Sequence, residues 1–160
     1  MHPQIAPLAE ILRLNERLFA AALDGVAHAD ALRRVEGTGN SLLWVAGHAA
    51  NSRSNLARIA GAGIDAYRPD LFGRGALPAD PSAYPGLAAV RSGWDEAVAA
   101  LAPRLAALAE AELRAAAPFN PPVADKSVLG AMAFLTMHEC YHLGQLGYIR
   151  RLLGCETLAG

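Results

Sequence analysis

The chain has 160 residues, 53% of them hydrophobic, with 14 basic and 15 acidic side chains and a formal net charge of −1. That composition suits one globular domain over 1–160 that buries its own core, and it excludes a disordered chain. The charge balance lacks the basic excess of a nucleic-acid surface, so no nucleic-acid partner is expected.

No apolar run reaches the roughly 18–20 residues that cross a bilayer, so no membrane partner is expected. The start, Met1-His2-Pro3-Gln4-Ile5, lacks the basic and apolar regions of a secretory signal, which makes a cytoplasmic location the expectation. Cys140 and Cys155 form no CxxC pair and are too few for a disulfide framework, so both read as reduced thiols.

No strand-like alternation is found, and the 3.6-residue period dominates, which predicts an all-α fold with four long helices. The first covers about residues 4–24, with Leu8, Ile11, Leu12, Leu18, Phe19 and Ala22 on its apolar stripe and Gly25 ending it. Asn15 falls on that stripe. It is either a buried amide satisfied by a neighbour or a polar group lining a pocket. The second helix covers about residues 41–60. Asn40 and Ser41 supply N-cap oxygens, and Gly61 suits the C-terminal turn. Leu42, Val45, Ala49, Leu56 and Ile59 form its buried side, with His48 in the middle and Trp44 one turn before it.

Residues 62–82 hold Gly63, Pro69, Gly73, Gly75, Pro78 and Pro81 and read as a long connection. Such a segment inside a small domain needs a reason, and a crossover between two helices running the same way supplies one. The third helix covers about residues 84–114, with Leu87, Val90, Trp94, Val98, Leu101, Leu105 and Leu108 at helical spacing. Pro103 should kink or interrupt it, because proline lacks the N–H and clashes with the preceding turn. The fourth helix covers about residues 127–153, capped by Ser127 and Gly154, with Arg150 and Arg151 placed to favour the dipole of its last turn.

The fourth helix carries the string HECYHLGQ, 138–145. His138 and His142 are four apart, so both imidazoles share one helix face, where two ring nitrogens can grip one divalent ion. The string matches HExxH, the signature of zinc proteases. That reading fails on three counts. Gln145 and Tyr148 stand where the extended motif needs glycine and histidine, the one downstream glutamate is Glu156 just past the helix, and no strands are available for a substrate-aligning sheet. A third ligand must then come from elsewhere. His2 is terminal and His28 sits in a polar turn after the first helix, which leaves His48 as the best placed. The plainer alternative is a packed His48 and a solvent-facing pair of histidines.

Glu139 lies about 100° round the helix from His138. It is read as a base on bound water, a hydrogen-bond partner of a histidine, or a packing residue. Gln145 shares the His138 stripe, and an interhelical hydrogen bond is favoured over substrate contact. Cys140 points away from His138 and reads as a small core residue. Tyr141 and Tyr148 read as packing residues, and Trp44 and Trp94 as core or pocket wall.

The segments NSLLWVAGH, 40–48, and HECYHLGQL, 138–146, resemble the second-helix and last-helix motifs of the DinB-like superfamily. Length, spacing and the long middle connection agree with it across nearly the whole chain. The resemblance implies an up-down-down-up four-helix bundle with a crossover between helices 2 and 3. It also implies a divalent metal, zinc or nickel, held by His48, His138 and His142. Three histidine ligands leave a coordination position open, as in catalytic sites. Relatives of this kind include transferases and isomerases that use low-molecular-weight thiols, so the resemblance implies a thiol-dependent S-transferase or isomerase acting on a small-molecule substrate. A metal-hydroxide hydrolase and a non-catalytic, stress-associated metal-binding protein are the alternatives. It implies a homodimer as well.

Overall fold

Capping chemistry and apolar period place the long helices close to where the sequence predicts them. The computed structural model describes residues 1–34, 39–77 and 79–158. Its helices are α1 (Ala6–Leu23), α2 (His28–Leu32), α3 (Leu42–Ile59), α4 (Pro69–Phe72), α5 (Leu87–Ala107), α6 (Glu110–Arg114) and α7 (Val128–Leu152). Among the described residues there is no strand, only an isolated bridge between Ala116 and Ser127, and the fold is all-α. No helix is long and apolar enough to cross a membrane among the described residues.

The Ser41 hydroxyl accepts from the Trp44 N–H at 3.2 Å and opens α3. Gly61, at φ +86°, turns the chain away after it. At α7 the Ser127 hydroxyl accepts from the Gly130 N–H at 3.3 Å, and Gly154 at φ +82° follows the last turn. Arg150 does more than balance a dipole. It is buried, and its guanidinium donates to the carbonyls of Ala22 and Asp24 at the end of α1 and to that of Glu156. One side chain thereby satisfies carbonyls that a helix end leaves without partners.

Two expectations are corrected. The third helix is not continuous over 84–114: α5 runs through Pro103 and ends at Ala107, and α6 starts at Glu110. The break falls at Leu108, whose ψ of 123° is extended. Glu112 then accepts from the Ala109 N–H at 2.9 Å and starts the new helix. The connection over 62–82 is not without structure either, since it contains α4 and a 3₁₀ turn at Pro81–Ala83. Pro78 lies outside the described residues.

The crossover is tied down along α3. Asn51 Nδ2 donates to the Tyr67 carbonyl at 2.8 Å, and the Tyr67 N–H donates to Ser54 Oγ at 2.9 Å. Phe72 is fully buried against Gly47, where any Cβ would overlap its ring. Tyr67 fills the matching space over Gly93 of α5.

The core has two parts. One gathers Phe19 and Ala22 of α1, Leu43, Ala46 and Ala50 of α3, Val90 and Trp94 of α5, and Leu143 and Leu146 of α7. The other gathers Ile5 just before α1, Ala9 and Leu12 of α1, Leu56 of α3 and Ala60 just after it, Leu101 and Leu105 of α5, and Met132 and Leu135 of α7. Helix α3 packs on α5 and α7, and α1 packs on α7 and α5. In every long helix the residues between the two parts fall near mid-length, where α3 carries Arg53 and α7 carries His138, Glu139 and His142, while His48 lies on α3 beside the first part.

Candidate metal centre

His48 stands at mid-length on α3, flanked by the buried Gly47 and Ala49. Its Nδ1 lies 2.6 Å from the carbonyl oxygen of Phe72. A carbonyl can only accept, so Nδ1 carries a proton, and in the neutral ring Nε2 carries the lone pair. The Trp44 indole stacks on the same ring at 5.0 Å with an interplanar angle of 7°.

His142 is held in the same manner by a side chain. Its Nδ1 lies 2.7 Å from Gln145 Oε1, one turn on, and Gln145 Nε2 donates to the Tyr141 hydroxyl at 3.2 Å. With the amide oxygen accepting from Nδ1–H, the Nε2 of His142 also carries a lone pair. His138 completes the group. Its Nε2 lies 3.1 Å from His48 Nε2 and 3.2 Å from His142 Nε2, and the Phe134 ring stacks on it at 5.8 Å.

The three rings offer ligand atoms all within 4.8 Å of one another. Two converging lone pairs face one further nitrogen, which can bring at most one proton. At least one nitrogen–nitrogen approach near 3 Å therefore has no hydrogen in it, an arrangement that a cation resolves. Nitrogens each about 2.0–2.1 Å from a shared tetrahedral ion stand about 3.3–3.4 Å apart, close to the spacings seen. The donor set thus fits a divalent ion of the imidazole-preferring kind.

The electrostatics agree. Burial, helped by neighbouring His48, holds the His138 imidazole below its ordinary value. Burial pushes His142 down to about 4, with Gln145 opposing and His48 and His138 adding to the shift. Both rings are neutral at neutral pH, the form a ligand needs.

The other residues singled out by the sequence separate cleanly. Glu139 does not face the histidines. It is fully buried, and its carboxylate takes two hydrogen bonds from Arg53, at 2.8 and 2.6 Å, and one from Asn15 Nδ2 at 2.9 Å. The readings as a base or as a histidine partner are thereby corrected. Asn15 is the buried, satisfied amide. Gln145 bonds within its own helix, not between helices, because three residues bring it under the His142 ring. Cys140 is exposed, not core, with its thiol 3.3 Å from Asn15 Nδ2. Tyr141 and Tyr148 are exposed as well, so neither is a packing residue of the interior. Trp94 is core, and Trp44 is a wall of the histidine site.

Arg53 and the Phe72 carbonyl are what sequence reasoning missed. Arg53 is fully buried, lies over the Trp94 ring at 4.4 Å, and also reaches Glu16 at 3.1 Å and the Leu12 carbonyl at 3.2 Å. Burial works against its charge, but bonding to Glu139 and the charges of Glu139 and Glu16 raise its pKa above the ordinary value. Arg53 lies about 140° round α3 from His48 and within a polar run, so the sequence carries no local signal for its burial. A backbone carbonyl in a crossover loop leaves no sequence signal at all.

Two clefts lie elsewhere. One of about 310 Å³ is lined by Leu12, Arg13 and Leu101, and one of about 660 Å³ by Asn51, Arg58 and Arg74; neither is lined by a histidine of the cluster.

A family model described as the DinB superfamily matches residues 11–146, a span that holds all three histidines. Comparison with curated proteins and with solved structures gives no match.

Proposed function

The chain belongs to the DinB superfamily, and from that membership together with its histidine cradle we propose that it is a metal-dependent thiol S-transferase or isomerase. His48, His138 and His142 hold one divalent ion, zinc or nickel. When bound, that ion supplies a positive charge, uncompensated by its neutral ligands, that favours the ionised form of a low-molecular-weight thiol at neutral pH. The carrying observation is the convergence of three imidazoles, with Nδ1 of His48 held as a donor by the Phe72 carbonyl. The chain's remaining work is orientation. The Phe72 carbonyl sets the His48 tautomer, while Trp44 and Phe134 cover ring faces. Held geometry of this kind is what converts a bound pair of reactants into a fast one.

The reading extends to topology. The start of α1, the end of α3, the end of α5 and the start of α7 share one part of the core. Arg104, late in α5, donates to the Ala60 carbonyl at the end of α3 at 2.7 Å. Both observations support an up-down-down-up bundle in which the crossover joins two parallel helices. A homodimer is part of the same proposal, supported by the exposed Ile11 and Leu14 of α1 and Met137 and Tyr148 of α7; a monomeric mass at micromolar concentration would refute it.

Elemental analysis of the purified protein is the first test, with about one zinc or nickel per chain expected. Conjugation of a test electrophile should then run faster with metal-loaded protein plus glutathione, bacillithiol or mycothiol than with thiol alone, and His142→Ala should abolish the gain. Equal rates with loaded and metal-stripped protein across all three thiols would reject thiol transfer.

A further inference from the structure

His48 and His142 are oriented by different means. His48 answers to a main-chain carbonyl, which no side-chain substitution removes. His142 answers to Gln145 alone, and the Nδ1 of His138 has no hydrogen-bond partner among the described residues. We propose that Gln145 is a positioning residue for the metal ligand His142, fixing the tautomer in which Nε2 presents a lone pair to the site. The inference rests on the metal reading above and deepens it.

The argument turns on the direction of one hydrogen bond. With Oε1 toward His142, Nδ1 must donate, and Nε2 is free to bind a cation. With the amide reversed, Nε2–H of Gln145 would donate to Nδ1, and the imidazole proton would sit on the other nitrogen, between the histidines, blocking the site. Tyr141 decides between the two only in part, because its hydroxyl can accept from the amide nitrogen, as it does at 3.2 Å, or donate to the amide oxygen. His138 ties the choice to the cation. Its Nε2 stands 3.2 Å from that of His142 and 3.1 Å from that of His48. A proton on His142 Nε2 would fill one of these approaches as an N–H···N hydrogen bond and take the place of a cation there. The amide orientation with Oε1 on His142 is therefore the one compatible with a cation at the centre. Gln145 is half-buried and lies on α7 itself, so the ligand and its orienting group move as one rigid unit.

Residues that orient a histidine ligand through its distal nitrogen typically change metal affinity by about 10–100-fold when removed. Gln145→Leu keeps the bulk and deletes the acceptor, and Gln145→Glu keeps an acceptor oxygen. Zinc affinity is read by chelator competition, and the His142 tautomer by nitrogen chemical shifts of the metal-free protein. Gln145→Leu is expected to bind zinc about 10–100-fold more weakly, with His142 shifting from Nδ1–H toward a mixture of tautomers. Gln145→Glu should bind at least as tightly as the wild type and keep Nδ1–H. Gln145→Leu binding within twofold of wild type, or a wild-type His142 protonated on Nε2, would overturn the proposal while leaving the metal site standing. Wild-type protein that binds neither zinc nor nickel would instead overturn the metal reading, and the role of Gln145 with it.

Discussion

Arg53 carries its charge at zero exposure, with a carboxylate, an amide-bearing neighbour and an indole face around it. Removing two such charges from water costs several kcal/mol each, and the pair offsets this only while both members are present. Glu139→Ala should therefore destabilise the protein by about 3 kcal/mol in urea unfolding, because it leaves the buried Arg53 guanidinium with the partly exposed Glu16 as its remaining charge partner. Replacing both, Arg53→Met with Glu139→Leu, should cost far less than the single change. A Glu139 acting as a base at the metal would predict the reverse, with stability little changed. His142 gives a second expectation at this scale. It titrates near the ordinary imidazole value of 6.5 when unfolded and, pushed down mainly by burial, at about 4 in the fold. Between those values the unfolded chain binds more protons, so the unfolding free energy rises with pH across that window. This contribution is complete above about 6.5 and is lost as pH falls toward about 4. Metal-free wild type should show that slope in unfolding experiments at stepped pH, and His142→Phe should flatten it.

At the scale of elements, the crossover and α3 act as one unit through Gly47. A methyl group there would overlap the Phe72 ring, and Phe72 is also the residue whose carbonyl orients His48. Overpacking costs about 1–3 kcal/mol, against a gain of up to about 1 kcal/mol from replacing helical glycine by alanine. The clash wins, so Gly47→Ala should lower stability by about 1–2 kcal/mol and weaken zinc binding. Gly144, on α7 with open space around it, should behave oppositely, with Gly144→Ala gaining about 0.5–1 kcal/mol in the same unfolding assay. These cases also show how far the sequence could be read. The ends of α3 and α7 were legible because Ser41, Gly61, Ser127 and Gly154 each perform a local task that needs no tertiary partner. The break between α5 and α6 was not, since Leu108 continues the apolar period across it and is buried like a helical residue. The three histidines were legible from spacing joined to family motifs, whereas Arg53 was hidden among Asn51, Ser52, Ser54 and Asn55, a polar run that reads as a solvated face. Its burial follows from the packing of α3 between α5 and α7, which is tertiary information.

For the whole molecule, the histidines join helices that lie far apart in sequence: His48 is on α3 and the other two are on α7. An ion held by all three is therefore a cross-link present in the folded state and absent in the unfolded chain, where the rings are not gathered. Binding then stabilises by mass action, about 2.7 kcal/mol at a free metal concentration one hundred times Kd. For a domain of this size about 2–4 °C of Tm accompanies each kcal/mol. Zinc at that excess should thus raise Tm by roughly 5–10 °C, and chelator should return it to the metal-free value. His48→Ala is the decisive control, because it removes the single ligand from α3 and leaves the α7 pair intact. A two-histidine site on one helix ties nothing across the fold, so the variant should retain a metal-free Tm near that of the wild type and lose most of the zinc-dependent rise. A rise preserved in His48→Ala would place the ion on α7 alone and remove α3 from the site.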